Sequence, residues 1–264
     1  MSTDLPVNSG SRLGRLPRPL RRPAARVVSK IGWRPRPRYA YEADGMATVH
    51  FSPFIEDAEF TARYDEMASD WFVGYRADVR WRMWLLTRLA GQCSRLPGNF
   101  AEFGVYRGGC AFMVLATVGL AADRKLYLFD TFAGIPDAHL GDRERSLDLA
   151  GRHGDTSVEY VEWRLARWRE QIQICAGDVF ETLPLADTGP LAFAHVDLNS
   201  AAPTRRVLEY AYQRLVSGAI VVFDDYGYGW DDCADERAAI DDFFGDMRES
   251  VVALPTGQGL VIKQ

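Results

Sequence analysis

Cysteine is scarce and scattered in this sequence of 264 residues: Cys93, Cys110, Cys175 and Cys233 form no Cys-x-x-Cys pair. That spacing argues against a zinc knot and supplies no disulfide framework, so a reducing compartment suits the chain. Long hydrophobic runs are missing too. No apolar stretch approaches the roughly 18–20 residues that cross a bilayer, and the first residues lack the apolar core of a secretory signal. The expectation is a cytoplasmic protein with no integral membrane segment. What is present is an ordinary globular mixture, 47% hydrophobic and 25% charged, which excludes disorder throughout. The length allows one large α/β domain with an appendage, or two small domains.

Charge is unevenly spread. Residues 1–40 carry a net +9 and the remainder −14, within a total of −5. In that arm Arg18, Arg21, Arg22, Arg34, Arg36 and Arg38 are interleaved with Pro17, Pro19, Pro23, Pro35 and Pro37, and proline prevents long helices. The expectation is a mobile basic arm over 1–40. It is either an anchor for RNA, anionic lipid or an acidic partner, or a solvated tail, or one that packs across a neighbouring subunit. No nucleic-acid partner is expected for the chain as a whole.

From Asp57 to Leu96 the apolar residues Phe72, Tyr75, Val79, Met83, Leu86 and Ala90 recur three or four apart, predicting at least one long amphipathic helix that ends before Pro97-Gly98. Trp71, Trp81 and Trp84 add aromatic bulk for a core or a subunit contact. Residues 41–98 therefore read as a helical extension contributing to an acceptor site or to a homodimer or larger homo-oligomer. Beyond it, over 99–264, short apolar runs alternate with helical stretches, the pattern of β-α-β units and a mainly parallel sheet. Strands are predicted at Asn99 to Val105, Lys125 to Asp130, Ile172 to Asp178, Leu191 to Asp197 and Ala219 to Asp225. Helices are predicted around Val158, Val161, Leu165 and Trp168, and around Val207, Leu208, Ala211 and Leu215. A closing hairpin spans Ser250 to Leu254 and Gly259 to Lys263.

Each of the five strands ends in acid: Glu102, Asp130, Asp178, Asp197, and the pair Asp224-Asp225. One such residue could simply cap the next helix. Five together point to a ligand at the carboxyl edge, where open α/β sheets bind. The first strand enters Glu102-Phe103-Gly104-Val105-Tyr106-Arg107-Gly108-Gly109, which is not the G-x-G-x-x-G that gathers a pyrophosphate. A loop headed by Glu102 suits a cationic or hydroxyl-bearing ligand. Asp130 can accept a ribose diol and Asp178 an adenine amino proton, which together describe a nucleoside without phosphates. Asp197, Asp224 and Asp225 would repel one another in one mouth unless protonated or bridged by a cation, and an oxygen-only donor set suits Mg2+.

Four blocks carry a resemblance: Glu102 to Gly109, Asp130-Thr131-Phe132-Ala133-Gly134-Ile135-Pro136, Gly177-Asp178 with Leu183-Pro184, and Phe223-Asp224-Asp225-Tyr226-Gly227. In order and spacing they resemble the macrocin O-methyltransferase family over roughly residues 54 to 264. The resemblance implies a Rossmann-like class I methyltransferase fold, with a mainly parallel seven-stranded sheet closed by a C-terminal antiparallel hairpin. It also implies S-adenosyl-L-methionine as donor, S-adenosyl-L-homocysteine as product, and Mg2+-dependent transfer to a sugar hydroxyl of a small-molecule glycoside. Carried over, Glu102, Gly104, Tyr106 and Gly108 line the methionine and ribose portions. Asp130 holds the ribose with Thr131 beside it, Asp178 and Val179 meet adenine, and Asp197, Asp224 and Asp225 bind the metal. Asn199 stands where the family has a second Asp. Asp197 is the first choice for the base, and His139, in the loop after the second strand, is the other. Tyr226, Tyr228 and Trp230 are candidate walls for the acceptor, and Gln258 a polar contact. Competing readings are a catechol-type O-methyltransferase, a nicotinamide-dependent oxidoreductase, and a non-enzymatic binder working through the arm.

Overall fold

The computed structural model describes residues 38–71, 78–228 and 233–264. The arm as far as residue 37, Phe72, Tyr75, Trp230 and the side chain of Trp71 lie outside what is described. The chain separates into two units, Met1–Glu42 with Ala47–Phe51, and Ala43–Met46 with Ser52–Gln264. The second holds everything discussed below apart from parts of one short hairpin. That hairpin pairs β1 (Tyr41–Ala43) with β2 (Met46–Thr48) around Asp44-Gly45. Both turn residues have positive φ, 50° and 70°, the backbone that an Asp-Gly turn accommodates most readily.

Two helices occupy the region predicted to hold at least one: α1 (Ala58–Trp71) and α2 (Arg80–Cys93). The buried face of α2 is Arg82, Met83, Leu86, Thr87, Ala90 and Cys93, so an arginine lies among core residues. Trp81 and Trp84 meet Phe54 edge-on at 5.2 and 6.3 Å, and Trp84 meets Phe60 at 5.1 Å, an aromatic cluster inside the fold. Among the described residues no helix is long and apolar enough to cross a membrane.

The main sheet has seven strands in the order β5-β4-β3-β6-β7-β9-β8. They are β3 (Asn99–Phe103), β4 (Leu126–Asp130), β5 (Ile172–Ala176), β6 (Leu191–Val196), β7 (Leu215–Phe223), β8 (Val252–Ala253) and β9 (Gly259–Ile262). The first five are mutually parallel, and β9 returns antiparallel against β7 with β8 on its far side. This is the expected parallel sheet closed by a C-terminal hairpin. The centre is mainly apolar: all six residues of β6 are buried, and Phe103 stacks on Phe129 across β3 and β4 at 4.9 Å, with His195 and Glu102 the buried polar residues of β6 and β3.

Boundaries differ from the sequence reading in one systematic way. Asp178, Asp197, Asp224 and Asp225 fall one or two residues beyond their strands, because pairing stops where the chain turns into the next loop. Strand β7 begins at Leu215, the residue predicted to close the preceding helix, which instead ends at Tyr212. The helix around Val158 runs only to Arg164 and continues as 3-10 turns through Gln171. The chain order places β4 and β5 on one side of β3 and β6 on the other, so the switch point lies between the carboxyl ends of β3 and β6.

A candidate active site at the carboxyl edge of the sheet

At the switch point Gly104 follows β3 with φ +86°, and a Cβ there would lie 1.7 Å from the carbonyl oxygen of Asp197. No side chain fits. The backbone of the first loop therefore rests directly on the residue that follows β6, and Asp197 N–H donates to Phe103 O at 2.8 Å.

On the β4 side, Asp130 is fully drawn into the loops. Its Oδ2 accepts from the Val105 and Tyr106 amides at 2.7 Å each, and its Oδ1 from Phe132 N–H at 2.7 Å. A carboxylate has about four acceptor positions, so one remains, on Oδ1. Tyr106 has φ 50°; its hydroxyl donates to Asp155 at 3.0 Å, and Thr156 Oγ1 donates to its carbonyl at 2.7 Å. Gly108, also left-handed, leads into helix α3 (Gly109–Val118). Thr131 Oγ1 donates to Gly134 O at 2.8 Å, closing the turn after Asp130. Beyond β5, Asp178 caps the short helix α6 (Val179–Thr182), numbered after α4 (Asp142–Ser146) and α5 (Val158–Arg164). Asp178 Oδ1 accepts from Phe180 N–H at 2.9 Å, and its Oδ2 lies 2.7 Å from His139 Nε2. The His139 ring stacks on Phe180 at 4.1 Å, so this histidine is engaged on the Asp178 side of the edge. Val179 is buried beside it.

Across the switch point the structure brings Asp197, Asp224 and Asp225 together. Asp224 N–H donates to Val196 O, which sets the residues after β6 and β7 side by side. One side-chain amide spans two of the carboxylates: Asn199 Nδ2 donates to Asp197 Oδ1 at 2.8 Å and to Asp225 Oδ2 at 2.6 Å. Asn199 sits at φ 53°, a left-handed position that asparagine tolerates. Asp224 is engaged at both oxygens, Oδ1 by Gln258 Nε2 at 2.8 Å and Oδ2 by Arg82 Nη1. Below them His195 is buried between Glu102 and Asp224, at 3.4 and 3.6 Å, ion-pair distances without hydrogen-bond geometry.

Burial and crowding set the protonation of this group. Burial, then the charges of Asp224 and Asp225, push Asp197 well above the carboxylate range. Asp225 is raised to about 6 by burial and by Asp224, against the pull of Arg82. Burial would raise Asp224 as well, but Arg82 and His195 outweigh it and hold it below its ordinary value. Burial lowers His195, yet the close carboxylates of Asp224 and Glu102 on either side lift it to about 10. Glu102 itself is raised by desolvation, which His195 only partly offsets.

Oxygen donors in this arrangement fit a hard divalent cation. Asp197 and Asp224 each place a carboxylate oxygen within 4.8 Å of the other and of a His195 ring nitrogen; His195, raised to about 10, keeps its proton and adds positive charge beside the cluster in place of a lone pair. Asp225 is tied to Asp197 through Asn199, and the excess negative charge seen in the raised Asp197 and Asp225 is what a cation relieves. Binding at Asp224 would have to share it with Arg82.

Sequence reasoning missed Arg82 and Asp44, whose carboxylate accepts from Arg82 Nε at 3.0 Å. The signal was there for Arg82, which lies four residues before Leu86 on the core-facing side of a helix. It also missed Glu144 of α4, which links Gly141 N–H and Ala201 N–H at 2.7 Å each, and Glu236, buried against Thr204 at 2.7 Å. Tyr228 stacks under Arg82 at 3.9 Å. Tyr226 donates to Asp241 at 2.6 Å.

Residues 48–249 match the family profile described as Macrocin-O-methyltransferase (TylF). Among curated proteins, the 8-demethyl-8-(2,3-dimethoxy-alpha-L-rhamnosyl)-tetracenomycin-C 4'-O-methyltransferase of Streptomyces olivaceus is 32% identical over 159 residues, covering 57% of this chain and 59% of its own length. The Mycinamicin III 3''-O-methyltransferase of Micromonospora griseorubida is 31% identical over 142 residues, 50% of this chain and 56% of its own. The chain thus spans little more than half the length of the curated relatives it matches. Among solved structures, the O-methyltransferase NovP has a TM-score of 0.62 at 22% identity, over 69% of this chain and 79% of its own. The calicheamicin methyltransferase CalS11 has a TM-score of 0.59 at 21% identity, over 86% and 99%. These two likenesses are of fold.

Proposed function

This chain belongs to the Macrocin-O-methyltransferase (TylF) family, and from that premise we propose that it transfers a methyl group from S-adenosyl-L-methionine to a sugar hydroxyl of a glycoside, with Mg2+ bound at the acidic cluster. Its Rossmann-like sheet is that of the class I methyltransferases. The observation that carries the reading is the division of one sheet edge. A glycine loop and two amide-bound aspartates lie on one side of the switch point, three crowded carboxylates lie on the other, and the two sides touch where Gly104 meets Asp197.

Bound S-adenosyl-L-methionine supplies a methyl group on a positively charged sulfur, which needs no covalent enzyme intermediate. On the donor side, Glu102, Gly104, Tyr106 and Gly108 form the wall for the methionine and ribose portions. Asp130, with its remaining acceptor position on Oδ1, and Thr131 serve the ribose; Asp178 and Val179 serve adenine. His139 belongs to that side through Asp178 and Phe180. A bound Mg2+ supplies positive charge that makes a neighbouring hydroxyl more acidic. Asp197, Asp224 and Asp225 would hold it. With the cluster's charge balanced by the cation, Asp197 would be ionised and, its Oδ1 fixed by the Asn199 amide, would receive the hydroxyl proton on Oδ2. The protein's remaining task is to orient the acceptor oxygen toward the methyl group and to exclude water.

The test is an incubation with donor and a panel of glycosides and catechols, with Mg2+, with EDTA, and with Mg2+ restored, reading S-adenosyl-L-homocysteine release and methylated product. Glycoside methylation lost in EDTA and recovered with Mg2+ is the expected result. Methylation of catechols alone would replace the sugar acceptor, activity untouched by EDTA would remove the metal, and NAD binding without any response to the donor would overturn the reading. Cytoplasmic placement and a homo-oligomeric state are part of the same proposal, checked by fractionation and sedimentation.

A further inference from the structure

Arg82 enters the carboxylate cluster from α2, outside the strands and loops that make up the rest of the site. It is 6% exposed, a buried charge that persists only with partners. Its Nε donates to Asp44 at 3.0 Å, Nη1 donates to Asp224 and lies 3.4 Å from Asp225 Oδ1, and the guanidinium lies over the Tyr228 ring at 3.9 Å. Nη2 is buried with no partner. Gln258 closes the other oxygen of Asp224, and Asn199 fixes the distance between Asp197 and Asp225. The cluster therefore carries its own cation, held on the same aspartates that a metal would use.

We propose that Arg82 is a tethered cation that sets the affinity of the Asp197–Asp224–Asp225 cluster for divalent metal, weakening it by neutralising Asp224 and facing Asp225. The inference rests on the metal-assisted reading above. A metal ion held by these carboxylates would share Asp224 and Asp225 with the guanidinium that already contacts them, in a buried setting where charges are poorly screened. A full unit of charge so placed changes an ion's affinity by about tenfold or more, even with generous screening. Arg82 also ties α2 to the turn at Asp44. A purely structural staple would change stability and leave metal affinity where it was, so affinity is the decisive quantity.

The experiment titrates the full chain with Mn2+, following free Mn2+ by its electron paramagnetic resonance signal. Arg82→Met should bind Mn2+ at least about tenfold more tightly than the unaltered chain, and Arg82→Lys, which keeps the charge, should stay within about threefold. Unchanged or weaker binding by a folded Arg82→Met protein overturns the proposal. Loss of a buried cation can unfold the protein, so Asp44→Asn with Arg82→Met is compared with Asp44→Asn alone. The same tightening is expected, and its absence is equally decisive. If the unaltered chain needs metal for turnover but the affinities are equal, only the role of Arg82 fails. If neither the unaltered chain nor the Met variant binds Mn2+ and turnover ignores EDTA, the metal reading fails and takes this inference with it.

Discussion

The two halves of the sheet's carboxyl edge are both rich in aspartate and handle the charge in opposite ways. After β4 and β5, Asp130 and Asp178 are held by backbone N–H groups of the adjoining loops, three for Asp130 and one for Asp178, with His139 added. Their surroundings follow directly from the chain's path. After β6 and β7, Asp197, Asp224 and Asp225 face one another, and their donors are side chains brought from elsewhere: Arg82 from α2, Gln258 from the C-terminal hairpin, Asn199 from its own loop. Backbone donors are neutral and fixed by the fold, so the first half is preorganised and quiet. The second half crowds its carboxylates together, and burial and the neighbouring carboxylates raise Asp225 to about 6 and push Asp197 well above the carboxylate range. A carboxylate cluster left in that condition is suited to a cation, whereas a saturated one is suited to shaping a loop.

The contact that joins the halves is where the contrast breaks most severely. Gly104→Ala forces a Cβ onto the Asp197 carbonyl. We expect a loss at or beyond the roughly 1–3 kcal/mol of ordinary overpacking, read as a fall in denaturation midpoint, with donor and metal binding lost together. The next largest effect separates them. Asp225→Asn should reduce Mg2+-dependent turnover by about 10²-fold or more and leave S-adenosyl-L-homocysteine affinity within about twofold by calorimetry, because its contacts lie across the switch point. Equal damage to both would deny the division. Asp130→Asn should do the reverse. An amide cannot accept three N–H bonds as a carboxylate does, so stability falls by on the order of 2 kcal/mol and donor affinity by about tenfold, while Mn2+ affinity holds.

A remote carboxylate gives the smallest and cleanest check on the saturated class. Glu249 accepts from Gln264 N–H at 3.0 Å, Tyr212 hydroxyl at 3.0 Å and Lys263 at 3.3 Å. The Gln264 amide first, then its own backbone amide, Tyr212 and Lys263, lower it to about 2. A lowered folded-state pKa means stability that is present above the ordinary value of 4.5 and lost as pH falls toward 2. Glu249→Gln should therefore be less stable than the unaltered chain at pH 7. The gap should close as melting is repeated across pH 4.5 to 2, and a gap independent of pH would deny that donors act on the ionised form.

Much of the edge was legible in the sequence, because it depends on local order. Alternating strands and helices fix a parallel sheet, parallel strands put all their ends on one edge, and the acids at those ends follow with no knowledge of packing. The glycine loop after β3 and the closing hairpin were readable for the same reason, since each depends on neighbouring residues. The charge balance was not legible. Asp224 meets Arg82 across 142 residues and Gln258 across 34. Asp130 offered the opposite surprise: a carboxylate read as a free ribose acceptor gives most of its capacity to backbone amides that only the folded loop brings near. The sequence determined which residues reach the edge, because strand direction and alternation are local properties of the chain. Tertiary structure alone decided which of those acids are satisfied by donors and which crowd one another, because Coulomb energy and burial depend on distances that no spacing along the chain records.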